Sequence, residues 1–253
     1  MNLHHITIES KSDKSPLVLV HGAGGSHELW PADALKSIDR TVFAVDMPGH
    51  GLSPGPGHRD IAAYADAAAA WLDRAKAGDA RTDAVVIGGH SMGGAIAQTF
   101  ALKYPERTRG LVLVGTGPRL PVMPQILEWV GDAEKLPRAA ELIAKLGLGR
   151  GAPQSLKDRL GQELQKTRPD IIHRDFSACD EFDVSERLGE IKVPALVICG
   201  AKDRLVPPDH ARFLADNIAQ SRLEILPDIG HFPMLEAPVQ FAAIMREWLV
   251  DIG

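Results

Sequence analysis

The sequence has little cysteine, no excess of basic charge and no long apolar run. Cys179 and Cys199 are its two cysteines in 253 residues. Two are too few for a disulfide framework, and their spacing does not suggest a zinc site. They read as free thiols in a reducing compartment. Lys and Arg total 28 against 33 Asp and Glu, a net charge of −5. The basic domain or stripe of a nucleic-acid binder is missing. No apolar run approaches the ~20 residues that span a bilayer. The opening MNLHHITIES lacks the basic and apolar regions of a secretory signal. A cytoplasmic protein is expected, with no metal, cofactor, nucleic-acid partner or membrane span.

Short apolar runs alternate with longer helical stretches. Runs at 17–20, 42–45, 84–87, 111–114 and 194–199 are continuously apolar, and a sixth strand is expected at 223–226. Unbroken runs fit strands covered on both faces, as in a parallel sheet. Apolar residues at helical spacing predict helices over 60–76, 92–104, 208–219 and 235–250. Strand–helix alternation predicts an α/β domain with a mostly parallel central sheet flanked by helices.

Residues 118–193 break the alternation. They contain no strand-like run, their leucines recur at helical spacing, and 25 of the 76 are charged. Helices with one heavily solvated face are expected. The organisation expected is a core of 1–117 and 194–253, with 118–193 as a helical insertion.

The chemistry concentrates at strand ends. Gly89-His90-Ser91-Met92-Gly93 fits G-x-S-x-G between a strand and a helix, where a sharp turn lifts the serine above the sheet. Ser91 is the candidate nucleophile. The Met92 N–H opens the helix and can meet developing negative charge. His21-Gly22-Ala23-Gly24-Gly25 closes an earlier strand and offers the Ala23 N–H as a second oxyanion donor. His231, just past the last strand, is the candidate base, because α/β sheets place chemistry at strand C-terminal ends. His21 reads as structural, His90 as turned away from the nucleophile, His27, His50 and His58 as possible pocket residues, and His173 and His210 as surface residues. Asp203, directly after the strand that ends at Cys199, is the candidate to orient the imidazole; Asp209 and Asp228 are its rivals.

With these residues in place, the sequence resembles the α/β-hydrolase fold superfamily, as a serine carboxylesterase-like member. The order Ser91, Asp203, His231 matches that family's order, and Asp46-Met47-Pro48-Gly49-His50-Gly51-Leu52-Ser53 resembles the loop after its third conserved strand. The likeness covers 16–117 and 194–250. It implies that 118–193 is a cap domain over the active site, and that the edge strand formed from residues 3–8 is short or absent. A serine at position 91 departs from the dehalogenase and epoxide hydrolase relatives, which carry aspartate there.

The resemblance implies hydrolysis of carboxylic esters through an acyl-enzyme on Ser91. Small, moderately apolar esters are expected, with Trp30, Met123, Leu127, Trp129 and Val130 lining the pocket; the other reading of the residues at 123–130 is that they pack the insertion onto the core. Two alternatives keep the chemistry but change the substrate: a carbon–carbon bond hydrolase of ring-cleavage products, or an enol-lactone hydrolase. A third is a non-catalytic small-molecule receptor. A monomer or homodimer is expected.

Overall fold

The computed structural model describes residues 2–75 and 83–252. Among the described residues seven strands form one sheet: β1 (His5–Ile8), β2 (Leu17–Val20), β3 (Val42–Val45), β4 (Val85–His90), β5 (Thr108–Val114), β6 (Ala195–Gly200) and β7 (Ser221–Leu226). Their spatial order is β1-β3-β2-β4-β5-β6-β7. β1 runs antiparallel to β3, and all other pairs are parallel. The edge strand at the N-terminus is therefore present but only four residues long.

The unbroken apolar runs are explained by the sheet's two covered faces. Successive strand side chains point to opposite sides. Val18 and Val20 enter one core, with Leu111 and Leu113. Leu17 and Leu19 enter the other, with Val112 and Val114. The first face is covered by α2 (Ile61–Ala75), α3 (Met92–Lys103) and α8 (Pro208–Asn217) through residues such as Tyr64, Phe100 and Leu214. The second is covered by α1 (Ala32–Leu35) and α10 (Pro238–Leu249) through Leu35, Phe241 and Met245. Residue 76, the last of the expected helix over 60–76, lies outside the described residues.

Several boundaries differ from expectation, among them the start of β5 at Thr108 rather than 111. β4 continues through Gly88 and Gly89 to His90, because glycine there serves close approach rather than a turn. A Cβ on Gly88 would lie 2.8 Å from that of Val112. β7 begins at Ser221 rather than 223, and only Leu226 in it is fully buried; an edge strand tolerates polar residues. The helix expected over 235–250 is two helices, α9 (Pro233–Glu236) and α10, broken at Ala237 (φ −140°, ψ 58°). Proline at 238 disfavours the helical conformation at the residue before it.

Between β5 and β6 the chain leaves the sheet and forms α4 (Pro124–Val130), α5 (Leu136–Gly147), α6 (Gln154–Lys166) and α7 (Pro169–Asp180). The base of this insertion is closed by an isolated bridge between Arg119 and Asp183 and by the Val184 N–H donating to the Pro118 carbonyl at 2.8 Å. Its inner residues, among them Ile126, Ile143, Leu164 and Ile172, join the second core. Among the described residues no helix is long and apolar enough to cross a membrane.

Candidate active site

Ser91 occupies the turn from β4 to α3 with φ 52° and ψ −115°. Among the described residues it is the one non-glycine with positive φ. Such backbone costs roughly 1–3 kcal/mol and persists only where the surroundings enforce it. They do so here. The Ser91 N–H donates to the Val114 carbonyl, and its own carbonyl accepts from the Thr116 hydroxyl, both at 2.9 Å. A Cβ on Gly89 would lie 2.1 Å from the Gly93 backbone, and one on Gly93 would lie 2.1 Å from the Val20 carbonyl oxygen. The two glycines of G-x-S-x-G are thus required by contact.

His231 follows β7, and its Nδ1 lies 2.7 Å from Asp203 Oδ2. Oδ1 of Asp203 accepts the N–H groups of Leu205 and Val206, each at 2.9 Å. Both residues are buried. An ionised carboxylate only accepts, so the Nδ1 of His231 carries a proton. In the neutral imidazole Nε2 is then bare and able to take one. The His231 amide donates to the Gly147 carbonyl of the insertion. Glu236 secures the same loop by accepting the amides of Gly230 (3.0 Å) and Gly149 (2.8 Å). Burial raises the Glu236 pKa, while those amides counteract the rise.

Ser91, His231 and Ala23 line one cavity of about 90 Å³ between the strand ends and the inserted helices. That is room for several water-sized groups. Its walls are mainly apolar, with Val122, Ile126, Leu164 and Phe176 among them. Met92 is buried as the first residue of α3, where first-turn amides have no partner within the helix.

Of the five residues expected to line the pocket, Met123 does so, and the other four are corrected. Trp30 is buried against Phe241, their ring centroids 6.2 Å apart. Leu127 faces a separate groove beside Glu128 and His173. Val130 is fully buried, and Trp129 packs against the second core. For Leu127 the reason is helical phase: α4 presents Ile126 to the cavity, so its neighbour is rotated off that side, whereas Trp129, Val130 and Trp30 are taken up by packing in the second core.

His90 is also corrected. It lines the cavity and stands 4.6 Å from the His231 ring. Its pKa is pushed well below the ordinary histidine value by burial and by the nearby His231, so the ring is neutral. His27, His50 and His58 do not line the cavity. The ring of His27 binds Asp46, and that of His50 binds Asp175. Among the described residues one group could hold a metal ion: His4, His27 and Asp46. Both imidazole Nδ1 atoms already lie 2.9 Å from Asp46 Oδ2, and the three do not line the Ser91 cavity.

Residues 15–238 match the model of a family described as alpha/beta hydrolase fold. A pimeloyl-[acyl-carrier protein] methyl ester esterase of Neisseria meningitidis serogroup C is 28% identical over 248 residues, covering 92% of this chain and 93% of that protein. The solved structure of a thermophilic esterase from Thermogutta terrifontis is 27% identical with a TM-score of 0.84, covering 98% of this chain and 93% of that one. An enol-lactonase from Burkholderia xenovorans LB400 shares the fold at 23% identity, with a TM-score of 0.86 over 98% of this chain and 96% of its own. With its mostly parallel seven-stranded sheet, the serine turn after β4 and a family match across most of its length, the chain belongs to the alpha/beta hydrolase fold family.

Proposed function

We propose that the protein is a serine carboxylesterase acting on small, moderately apolar esters. The observation that carries this reading is the 2.7 Å His231–Asp203 hydrogen bond beside a strained Ser91 on one apolar cavity. The esterases among its relatives add support.

Ser91 Oγ attacks the ester carbonyl while His231 Nε2 takes its proton. Asp203 holds the imidazole in the required tautomer and stabilises the imidazolium that forms. The Ala23 and Met92 N–H groups receive the oxyanion. As the tetrahedral intermediate collapses, the C–O bond to the alcohol breaks and His231 returns the proton to the leaving oxygen. Water then attacks the acyl-enzyme, giving a proton to His231; as the C–O bond to Ser91 breaks, His231 passes that proton to Ser91 Oγ and the acid leaves. The inserted residues 118–193 act as a cap that limits the space for the acyl or alcohol chain. Acyl transfer by this route draws on protein groups and water. The reaction is assigned to the cytoplasm and to a monomer or homodimer.

Hydrolysis of p-nitrophenyl esters from acetate to palmitate, by wild type and Ser91→Ala, tests the reading. Turnover that is fastest on short chains and abolished in the variant is the expected result. Negligible turnover across the series would overturn it and turn the assay to lactones, ring-cleavage products and non-hydrolytic ligands.

A further inference from the structure

The loop that carries Ala23 holds glycine at positions 22, 24 and 25, and glycine backbone has the most conformational freedom to lose. An oxyanion donor works only when its direction is set before the charge develops. Something must therefore hold this loop. The peptide plane containing the Ala23 N–H is held through its other end, the Gly22 carbonyl. That oxygen accepts from the Gly25 N–H at 3.0 Å and from His21 Nδ1 at 2.8 Å. The next two planes are held from outside the core. The Gly24 N–H donates to Asp175 Oδ2 at 2.9 Å, and the Gly24 carbonyl accepts the Thr167 hydroxyl at 2.9 Å.

Asp175 and Thr167 both belong to the insertion, more than 140 residues along the chain from Gly24. Both are buried. Between them Ile172 covers Gly24, where a Cβ would lie 2.4 Å from Ile172 Cδ1. Asp175 is itself fixed. Tyr64 donates its hydroxyl to Oδ1 at 2.5 Å, and His50 Nε2 reaches Oδ2 at 2.6 Å. His50 Nδ1 lies 3.1 Å from the Pro48 carbonyl. A carbonyl and a carboxylate both only accept, so His50 donates from both nitrogens and is an imidazolium. The carboxylate is thereby neutralised within a site closed to solvent, where an unpaired charge would be costly.

We propose that Asp175 and Thr167 are positioning residues: from α7 and from the α6–α7 connection of the insertion they grip both backbone polar atoms of Gly24 and so fix the oxyanion loop. The cap and the oxyanion loop then form one rigid unit, and the cap cannot swing away without loosening the donor. The proposal rests on the reading of Ala23 as an oxyanion donor.

The test compares Asp175→Ala, Thr167→Val and Thr167→Ser with wild type on the best p-nitrophenyl ester. It adds thermal unfolding and hydrogen exchange over residues 21–30. An interaction that matters only in the transition state lowers kcat and kcat/KM together. Asp175→Ala and Thr167→Val are therefore expected to lose about tenfold or more in kcat, less than deleting a donor outright. KM should stay within about twofold of wild type. Thr167→Ser, which keeps the hydroxyl, should restore kcat, and exchange at the loop should rise in the first two variants only. Unchanged kcat in a folded Thr167→Val would overturn the proposal even if its Tm falls, as would a Thr167→Ser no better than Thr167→Val. If Asp175→Ala does not fold, the Thr167 pair decides alone. If wild type hydrolyses no ester, the function reading fails and exchange judges the grip; unaltered loop exchange in Thr167→Val would sink it.

Discussion

His90 Nε2 donates to the main-chain carbonyl of His231 across 2.9 Å. The residue before the serine thus supports the backbone of the candidate base, 141 positions later. His90→Ala removes that bond and the ring that packs edge-on beside the imidazole. It should lower kcat by about tenfold or more through misplacement of His231, since small errors of position at a reacting centre are costly. Wild-type kcat in the folded variant would show that the Asp203 contact alone aligns the imidazole.

Ser91→Gly should abolish esterase activity and stabilise the fold. Relief of backbone at φ 52° is worth roughly 1–3 kcal/mol, offset by the roughly 0.5–1 kcal/mol that glycine's freedom in the unfolded chain costs. A net gain of about 1 kcal/mol in urea unfolding is expected. A loss would mean that the turn is not strained.

Asp203→Asn should leave the fold intact and reduce kcat by about 10⁴, the scale of the equivalent change in a serine protease triad. An amide at position 203 can donate to Nδ1, which favours the wrong tautomer of His231. Steady-state kinetics on the wild type's best ester decides. Near-normal turnover would move the acid's role elsewhere, Asp228 being the next candidate.

Acid stability should depend on His21. Burial and the adjacent His50 lower its pKa from 6.5 to about 4. Its Nδ1 faces the Gly22 carbonyl, and its Nε2 accepts the Met47 amide at 3.0 Å, so the folded ring is neutral. Between pH 6.5 and 4 the unfolded chain binds the proton and the folded one does not. Stability contributed by the neutral ring is complete above 6.5 and falls as pH drops, by about 3 kcal/mol in all. His50 runs the other way. Its pKa is raised by Asp175 against an opposing desolvation, so its contribution is full below 6.5 and fades as pH rises. Unfolding free energies of wild type and His21→Asn, compared from pH 7 to 4, isolate the His21 part. Parallel curves would contradict it.

Pocket geometry separates Ile126 from Leu127. Ile126→Ala opens the cavity wall and should shift the preferred p-nitrophenyl ester to a longer chain, at a stability cost of about 2–5 kcal/mol. Leu127→Ala should leave chain-length preference unchanged, because Leu127 faces another groove. The reverse pattern would mean that α4 is rotated from the orientation described.

Much of this protein is legible along the chain because the governing constraints are local. The apolar runs at 17–20 and 111–114 announce strands covered on both sides, since alternate side chains need two cores. The glycines around Ser91 announce the turn, since a side chain at either place would collide with backbone. Asp203 and His231 stand out because each follows a strand end. Proline at 238 is the local signal for the break in the last helix, because it disfavours helical backbone at Ala237 where the apolar spacing alone runs on unbroken.

The strand–helix alternation, the serine turn and the candidacy of Asp203 and His231 are all written locally in the chain. Periodicity and backbone sterics act over a few residues and can be read there. Which face of α4 meets the cavity, where the His90 ring turns and the hold of Asp175 on Gly24 emerge only when the chain is folded. Those outcomes depend on contacts between separate segments of the chain, more than 140 residues apart for Gly24 and Asp175, and no local spacing encodes which distant polar group a buried amide will meet.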